Sequence, residues 1–283
     1  MRQYQKIDDL HLLAIINAYF IILFNAAAVF SQMFADCTAP MNFPLPSHSP
    51  YVNDGKKNTM SPSCAGTSAL GIKFKDGVII AADTVVSYGS LARFMGFDRV
   101  IKVNDSTAMA FSGDIADFQL VKRRIEEYTH EEALLADGFT LSPSALHSWI
   151  TRVLYNRRSS LNPLWNSYVV GGIEPTGVPF LGFCNMIGVA FPEDVVATGF
   201  GAFLAIPPLR RAIEEKANSD YAKLEESDAL EAITDGMRLL FYRDTKAFNE
   251  YTLAIVRSSG VEIRGPLKLV TDWDIAEYVA GYE

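Results

Sequence analysis

The sequence predicts an α+β chain built as a four-layer αββα sandwich, two antiparallel sheets flanked by helices. Three observations lead there. Short apolar runs bounded by turn residues come in clusters, as antiparallel strands do. Pairs of segments whose apolar residues recur at helical spacing separate those clusters. Strands and helices do not alternate one by one, so the pattern is not that of a doubly wound parallel sheet.

Thr67–Phe74 and Gly77–Thr84 open the regular part as two strand-like runs joined at Lys75-Asp76, with Gly77 following, a tight-turn signal for a β-hairpin. Arg99–Val103 and Thr107–Phe111 follow as two more strands around Asn104-Asp105. The period then changes. Ile115, Phe118, Val121 and Ile125 fall on one helical face, with Asp114 placed to cap the first turn. A second helix starts at Ser142-Pro143, where serine caps and proline takes the first helical position. Three short runs, Tyr168–Val170, Phe180–Phe183 and Val195–Thr198, form the next strand cluster. Two more helices span about 202–217, broken or restarted at Pro207-Pro208, and about 228–243. Tyr251–Arg257 and Val261–Arg264 close the chain around a Ser-Ser-Gly turn.

Composition narrows the function classes. Hydrophobic residues make up 49% and charged residues 20% of the 283 positions, which excludes a disordered, collagen-like or coiled-coil chain. The net charge of −8 argues against a nucleic-acid partner, because a phosphate-backbone binder needs a concentrated basic face. Cys37, Cys64 and Cys184 are an odd, scattered set that supports neither a disulfide framework nor a zinc site, so a reducing compartment fits best. His130 and His147 sit on expected helices without acidic or cysteine partners at ligand spacing, so no metal is expected. No Gly-rich phosphate loop is present, and no cofactor is expected. Trp149, Trp165 and Trp273 are expected to fill core or subunit contacts.

The charge also divides the chain. Residues 1–58 balance four basic against four acidic side chains, so the whole net charge falls on residues 59–283. Between Pro40 and Pro50 the composition is rich in proline and serine and reads as a linker. We therefore expect residues 1–58 to be a pro-segment and residues 59–283 the folded domain. Leu10–Ala35 lacks any charged residue and is similar to a signal-peptide core, with Ala26-Ala27-Ala28 as a small-residue cleavage site. Arg2 and Lys6 are cancelled by Asp8 and Asp9, however, and Asn17, Asn25, Ser31 and Gln32 would need partners in hydrocarbon. A secreted or membrane-anchored binding protein is the alternative that this stretch alone favours.

Gly66-Thr67 ahead of a β-hairpin, with Asp83 closing the second strand after Ala81-Ala82, resembles the proteasome β-subunits among the N-terminal-nucleophile hydrolases. Further agreement comes from Tyr88-Gly89-Ser90-Leu91 with Arg93-Phe94, and from Arg157-Arg158-Ser159 followed by Asn162-Pro163-Leu164-Trp165-Asn166. Ala197-Thr198-Gly199-Phe200-Gly201-Ala202, Tyr242-Arg243-Asp244 and Trp273-Asp274-Ile275-Ala276 extend it toward the C-terminus. The resemblance runs from about residue 59 onward and is nearest to a non-catalytic position of that family.

In the family, the resemblance implies, the free α-amine of a threonine activates its own hydroxyl, aided by a lysine, while serines and an aspartate orient the groups. Counted from Thr67, the lysine position falls on Arg99 and the serine positions on Phe200 and Ala247, whereas Asp83 and Asp244 persist. A guanidinium carries charge but does not shuttle protons at neutral pH. Asp83 and Arg99 are expected to form a partly buried ion pair with a structural role, and Asp244 to make local hydrogen bonds at a helix end. The expectation is a non-catalytic β-subunit of the 20S core, acting in the cytoplasm and nucleus in ubiquitin-dependent degradation. Its partners would be neighbouring β-subunits, an α-ring subunit and a β-subunit of the opposite ring, with no membrane contact in the mature form. The runner-up, an active self-processing threonine peptidase, conflicts with Arg99, Phe200 and Ala247. Processing is expected between Asn58 and Thr59, in a polar stretch suited to cleavage by another subunit.

Overall fold

The computed structural model describes residues 62–273 apart from Phe139. The expected pro-segment, Leu10–Ala35, Asn58 and Thr59 lie outside the described residues.

Seven strands precede the first helix: β1 (Cys64–Gly66), β2 (Ala69–Phe74), β3 (Gly77–Asp83), β4 (Val86–Tyr88), β5 (Leu91–Phe94), β6 (Val100–Lys102) and β7 (Thr107–Asp114). Helices α1 (Ile115–Leu135) and α2 (Pro143–Ser159) follow, then β8 (Asn166–Ile173), β9 (Pro179–Cys184), β10 (Ala190–Pro192) and β11 (Val195–Ala197). Helices α3 (Gly201–Leu204), α4 (Ile206–Ala217) and α5 (Glu226–Arg243) lead to the final hairpin, β12 (Glu250–Arg257) and β13 (Gly260–Lys268). The strands form two antiparallel sheets. One runs β10-β9-β8-β7-β1-β4-β5 with β6 also on β7, and the other runs β11-β2-β3-β12-β13.

The core falls into three slabs, as four layers require. Phe111, Tyr168 and Val170 of the larger sheet pack on Phe118, Leu146, Ile150 and Leu154 of α1 and α2. Leu70, Ile72, Ile79, Leu253 and Ile255 of the smaller sheet pack on Leu209, Ile233 and Leu240 of α4 and α5. Between the sheets lie Ala69, Val78, Ile80, Ala108, Ala110, Val169, Leu181 and Ala254. Alternate residues of β3 thus face different slabs, and both are dry. This is why its sequence reads as an unbroken apolar run. The sheets approach closely where side chains are missing: a Cβ on Gly71 would stand 2.8 Å from Leu181 Cδ1, and one on Gly171 would stand 2.8 Å from Val78 Cγ1.

Local signals act as expected at two helix starts. The Asp114 carboxylate accepts from the amides of Ala116 and Asp117, and Ser142 Oγ accepts from Ala145 N–H ahead of Pro143. The expected restart at Pro207-Pro208 is seen: the helical stretch after residue 201 breaks at Ala205, and Pro207 and Pro208 occupy the first turn of α4, where the missing N–H costs nothing. One expectation needs correction. The first strand of the hairpin begins at Ala69, since Thr67 and Ser68 carry the chain from β1 in the larger sheet to β2 in the smaller one. Strands β1, β4, β5 and β10 are additions to the pattern expected from the sequence.

Candidate functional site

Thr67 lies at that crossing. Cys64–Gly66 ahead of it is flanked by partners on both sides, pairing with β4 (Ala65 opposite Ser87) and with β7 (Gly66 opposite Gly113). The Ser63 amide donates to Asp114 Oδ1 at 3.2 Å, fixing the entry to this strand. The nitrogen of Thr67 is therefore the amide that links two sheets.

Asp83 ends β3, and Arg99, one residue before β6, reaches groups of both sheets. The Arg99 side chain is fully buried and paired with Asp83 through Nη1 and Oδ1. Its remaining donors are heavily committed. Nη1 also donates to Thr67 Oγ1 at 3.3 Å, and Nη2 donates to the carbonyls of Thr67, Ser68 (3.2 Å) and Phe111 (2.8 Å). The guanidinium lies 5.7 Å from the centre of the Phe111 ring. Only Nε lacks a partner, and it is covered by Gly66, where a Cβ would come within 2.4 Å of it. A buried charge stabilises a fold only when its bonds are met, and this one ties strands of both sheets to the turn between them.

The Thr67 hydroxyl donates to Asp83 Oδ2 at 2.7 Å. The same oxygen accepts from the Phe248 amide at 3.2 Å, which brings the segment after α5 onto the site. Burial pushes the Asp83 carboxyl up from its ordinary range, opposed by the Arg99 charge and by the hydrogen bonds from Thr67 and Phe248. Burial likewise lowers Arg99 from its ordinary, very high value, opposed by Asp83. With so high a starting point and a carboxylate beside it, the guanidinium stays protonated at neutral pH and cannot act as a proton carrier.

Of the other expected positions, Asp244 acts on this pair through its charge. Asp244 caps α5, accepts from the Lys246 amide at 3.0 Å through Oδ1 and from the Ala247 amide at 3.0 Å through its carbonyl, and adds its charge to the field at Arg99. Ala247 presents a methyl group where the resemblance implied a serine. Phe200 is 62% exposed. Its loop is nevertheless docked, because Gly201 N–H donates to Ser68 Oγ (2.9 Å) and Ala69 N–H donates to Thr198 Oγ1 (2.8 Å). Sequence reasoning missed the Phe248 amide, the Ser68–Gly201 bond and the three carbonyls on Arg99. Backbone groups carry no residue signature, so no motif could have announced them.

The histidines take local roles: His147 Nε2 is 2.8 Å from the Phe183 carbonyl and His130 Nδ1 is 2.6 Å from that of Glu126. Among the described residues no cluster of histidine, cysteine and acidic side chains could hold a metal ion, and no helix is long and apolar enough to cross a membrane. Trp149 packs against the α1–α2 core slab and meets Tyr128 edge-on. Trp273 meets Tyr242 and Phe241 edge-on.

In chemical terms the described residues bring together a hydroxyl, a carboxylate and a permanent cation. The chain is similar to known proteins over most of its length. A family model described as proteasome subunit matches residues 64–256. Proteasome subunit beta type-4 of Xenopus laevis is 47% identical over 227 residues, 80% of this chain and 91% of that protein. Its namesake in Drosophila melanogaster is 40% identical over 238 residues, 84% of this chain and 86% of the relative. Proteasome subunit beta type-7 of Saccharomyces cerevisiae is 40% identical over 231 residues, 80% and 86% of the two chains. A matching family model, near-full-length relatives and a Gly-Thr crossing between two stacked sheets agree: the chain belongs to the proteasome subunit family.

Proposed function

We propose that this chain is a non-catalytic, structural β-subunit of the 20S proteasome core, needed to complete a β-ring and hence for ATP- and ubiquitin-dependent degradation in the cytoplasm and nucleus. One observation carries the reading: the Arg99 guanidinium, at the position where the resemblance implies a lysine, spends its donors on Asp83, Thr67 and three carbonyls. A threonine hydroxyl is a weak nucleophile until a base takes its proton. Here the hydroxyl donates to an Asp83 oxygen that is already shared with a backbone amide. The strand pairing of Cys64–Gly66 supports the same reading, since it favours an uncut Gly66–Thr67 bond whose nitrogen has no basic lone pair.

The partners in this proposal are neighbouring β-subunits, an α-ring subunit and a β-subunit of the opposite ring. Residues 1–58 act as a removable pro-segment, cut between Asn58 and Thr59 by another subunit's active site. A start at Thr59 keeps β1 whole and removes Leu10–Ala35.

The test is to treat the assembled particle with a covalent inhibitor directed at N-terminal threonines and to analyse this subunit by mass spectrometry. No adduct and an N-terminus at Thr59 are expected. An adduct on Thr67, or an N-terminus there, would establish an active peptidase, and a start near Val29 would favour the secreted alternative.

A further inference from the structure

Helix α2 ends in Arg157-Arg158-Ser159, and the chain leaves it through Ser160, Leu161 and Asn162-Pro163. The fold accounts for part of this stretch. Ser160 Oγ donates to the Asn156 carbonyl at 2.9 Å, and the amides of Ser160, Leu161 and Asn162 return to the carbonyls of Asn156, Arg158 and Arg157, each at 3.1 Å. Further on, Leu164 is buried and the Trp165 amide donates to Asp117 Oδ2 at 2.8 Å, which anchors the far side of the turn. The rest has no use within the fold. Leu161 is 82% exposed and left-handed (φ 55°), a conformation that penalises a residue with a Cβ. An apolar side chain in solvent on a strained backbone adds nothing to the core, and such strain points to a use elsewhere. Arg158, Ser159 and Ser160 are exposed as well, and Arg157 Nε is buried without a hydrogen-bond partner.

The order of these groups has a chemical meaning. Two guanidinium groups stand three and two residues before an exposed hydroxyl, and an apolar side chain follows it directly. A protein that reads such a segment needs carboxylates for the arginines, which pair with guanidinium in planar, bidentate fashion, and an apolar socket for the leucine. We propose that Ser160 is a phosphorylation site for a serine kinase whose peptide groove is acidic opposite Arg157 and Arg158 and apolar opposite Leu161. The Ser160 hydroxyl attacks the γ-phosphorus of a nucleoside triphosphate held by the kinase. The Oγ–P bond forms, the bond from that phosphorus to the β–γ bridging oxygen breaks, the nucleoside diphosphate leaves, and the hydroxyl proton passes to a base of the kinase. Ser159 does not fit the same groove, since Asn156 stands three residues before it and Ser160 follows it.

Presenting Arg157 requires the last turn of α2 to open, and helix ends open locally at small cost. The phosphate then keeps that turn loose. Ser160 loses its donor to the Asn156 carbonyl, and a group of about −2 charge stands at the carbonyl end of the helix, where the dipole disfavours it. The anchor at Leu164 and Trp165 keeps the change from spreading into β8. None of this depends on the ring position proposed above.

The experiment uses the native full-length chain. It is incubated with ATP and the catalytic subunit of cyclic-AMP-dependent protein kinase, an enzyme that reads arginine pairs, beside a synthetic peptide of residues 154–164, and mass spectrometry locates the phosphate. Phosphate on Ser160 is expected in both. Ser160→Ala is expected to lose at least ten-fold of the phosphate carried by the chain. Arg158→Ala, at an exposed position, is expected to lower kcat/KM for the chain at least ten-fold, and Ser159→Ala to leave it unchanged. An unmodified peptide, phosphate on the peptide alone, or phosphate on other residues of the chain would overturn the proposal, as would full modification of Arg158→Ala. Hydrogen exchange at the amides of Leu161 and Asn162 is expected to be at least ten-fold faster in the phosphorylated chain; unchanged exchange would refute the loosening of the turn.

Discussion

Arg99→Ala is the most informative perturbation of the site. The substitution strands the Asp83 carboxylate in the interior, where only Thr67 Oγ1 and the Phe248 amide remain to bond it. Removing one member of a buried pair costs about 3–5 kcal/mol. It also leaves the carbonyls of Thr67, Ser68 and Phe111 without that donor. At about 1.4 kcal/mol per factor of ten, the pair alone changes the folded-to-unfolded ratio by about a hundred- to several thousand-fold. A domain with a total stability of about 5–15 kcal/mol then approaches its threshold. Arg99→Lys keeps the charge near Asp83 but replaces a planar fork by three donors on one nitrogen, which cannot reproduce the contacts to two sheets at once. Its cost is expected to be smaller, about 1–3 kcal/mol for buried acceptors left unmet. The assay is pulse proteolysis of the subunit in increasing urea, paired with competition against a tagged wild-type chain for entry into the particle. The order expected is wild type, then Lys, then Ala. Full stability and full incorporation of Arg99→Ala would refute the claim that the guanidinium holds the two sheets together.

Gly66→Ala places a Cβ 2.4 Å from Arg99 Nε, and the arginine is buried with nowhere to move, so a loss of about 1–3 kcal/mol is expected by the same proteolysis assay. His147 is buried, and burial lowers its pKa from 6.5 against the pull of the Phe183 carbonyl. The unfolded chain then binds the proton more readily, so stability is complete above about pH 6.5 and is lost as pH falls below it; His147→Gln is expected to flatten that slope, and an unchanged slope would refute the assignment. Burial pushes the Cys184 thiol up to about 12, so native protein is expected to leave it unmodified by iodoacetamide at neutral pH, with alkylation appearing only on denaturation.

How much of this is legible in the sequence depends on the kind of signal involved. Asp114 and Ser142-Pro143 announce helix starts because a cap is a local device that works wherever it stands. The doubly buried β3 announces itself as a continuous apolar run. Strand β1 does not: Cys-Ala-Gly has no pattern, and three residues become a strand only because β4 and β7 flank them. The β4–β5 hairpin and β10 are equally silent, since exposed apolar residues break the in-out alternation that a sequence reading looks for. Arg99, Asp83 and Thr67 could be matched to family positions, yet their shared hydrogen bonds depend on two sheets meeting, a long-range fact. The prolines of α4 announce a helix restart because proline fits a first turn, and only the chain path through Ala205 fixes where the preceding turn ends.

Strand β1 bears on how such a subunit can change over time. Changing Arg99 to lysine would supply a proton carrier, but the Thr67 nitrogen would still follow β1, which is paired on both sides. Releasing it means cutting β1 free of β2 and leaving three residues between β4 and β7 without a covalent tie to the next strand. On the non-catalytic reading proposed above, lysine at position 99 is therefore not enough: the bond ahead of Thr67 and the hydroxyls absent at Phe200 and Ala247 would each need a change of their own, while every intermediate risks the sheet itself.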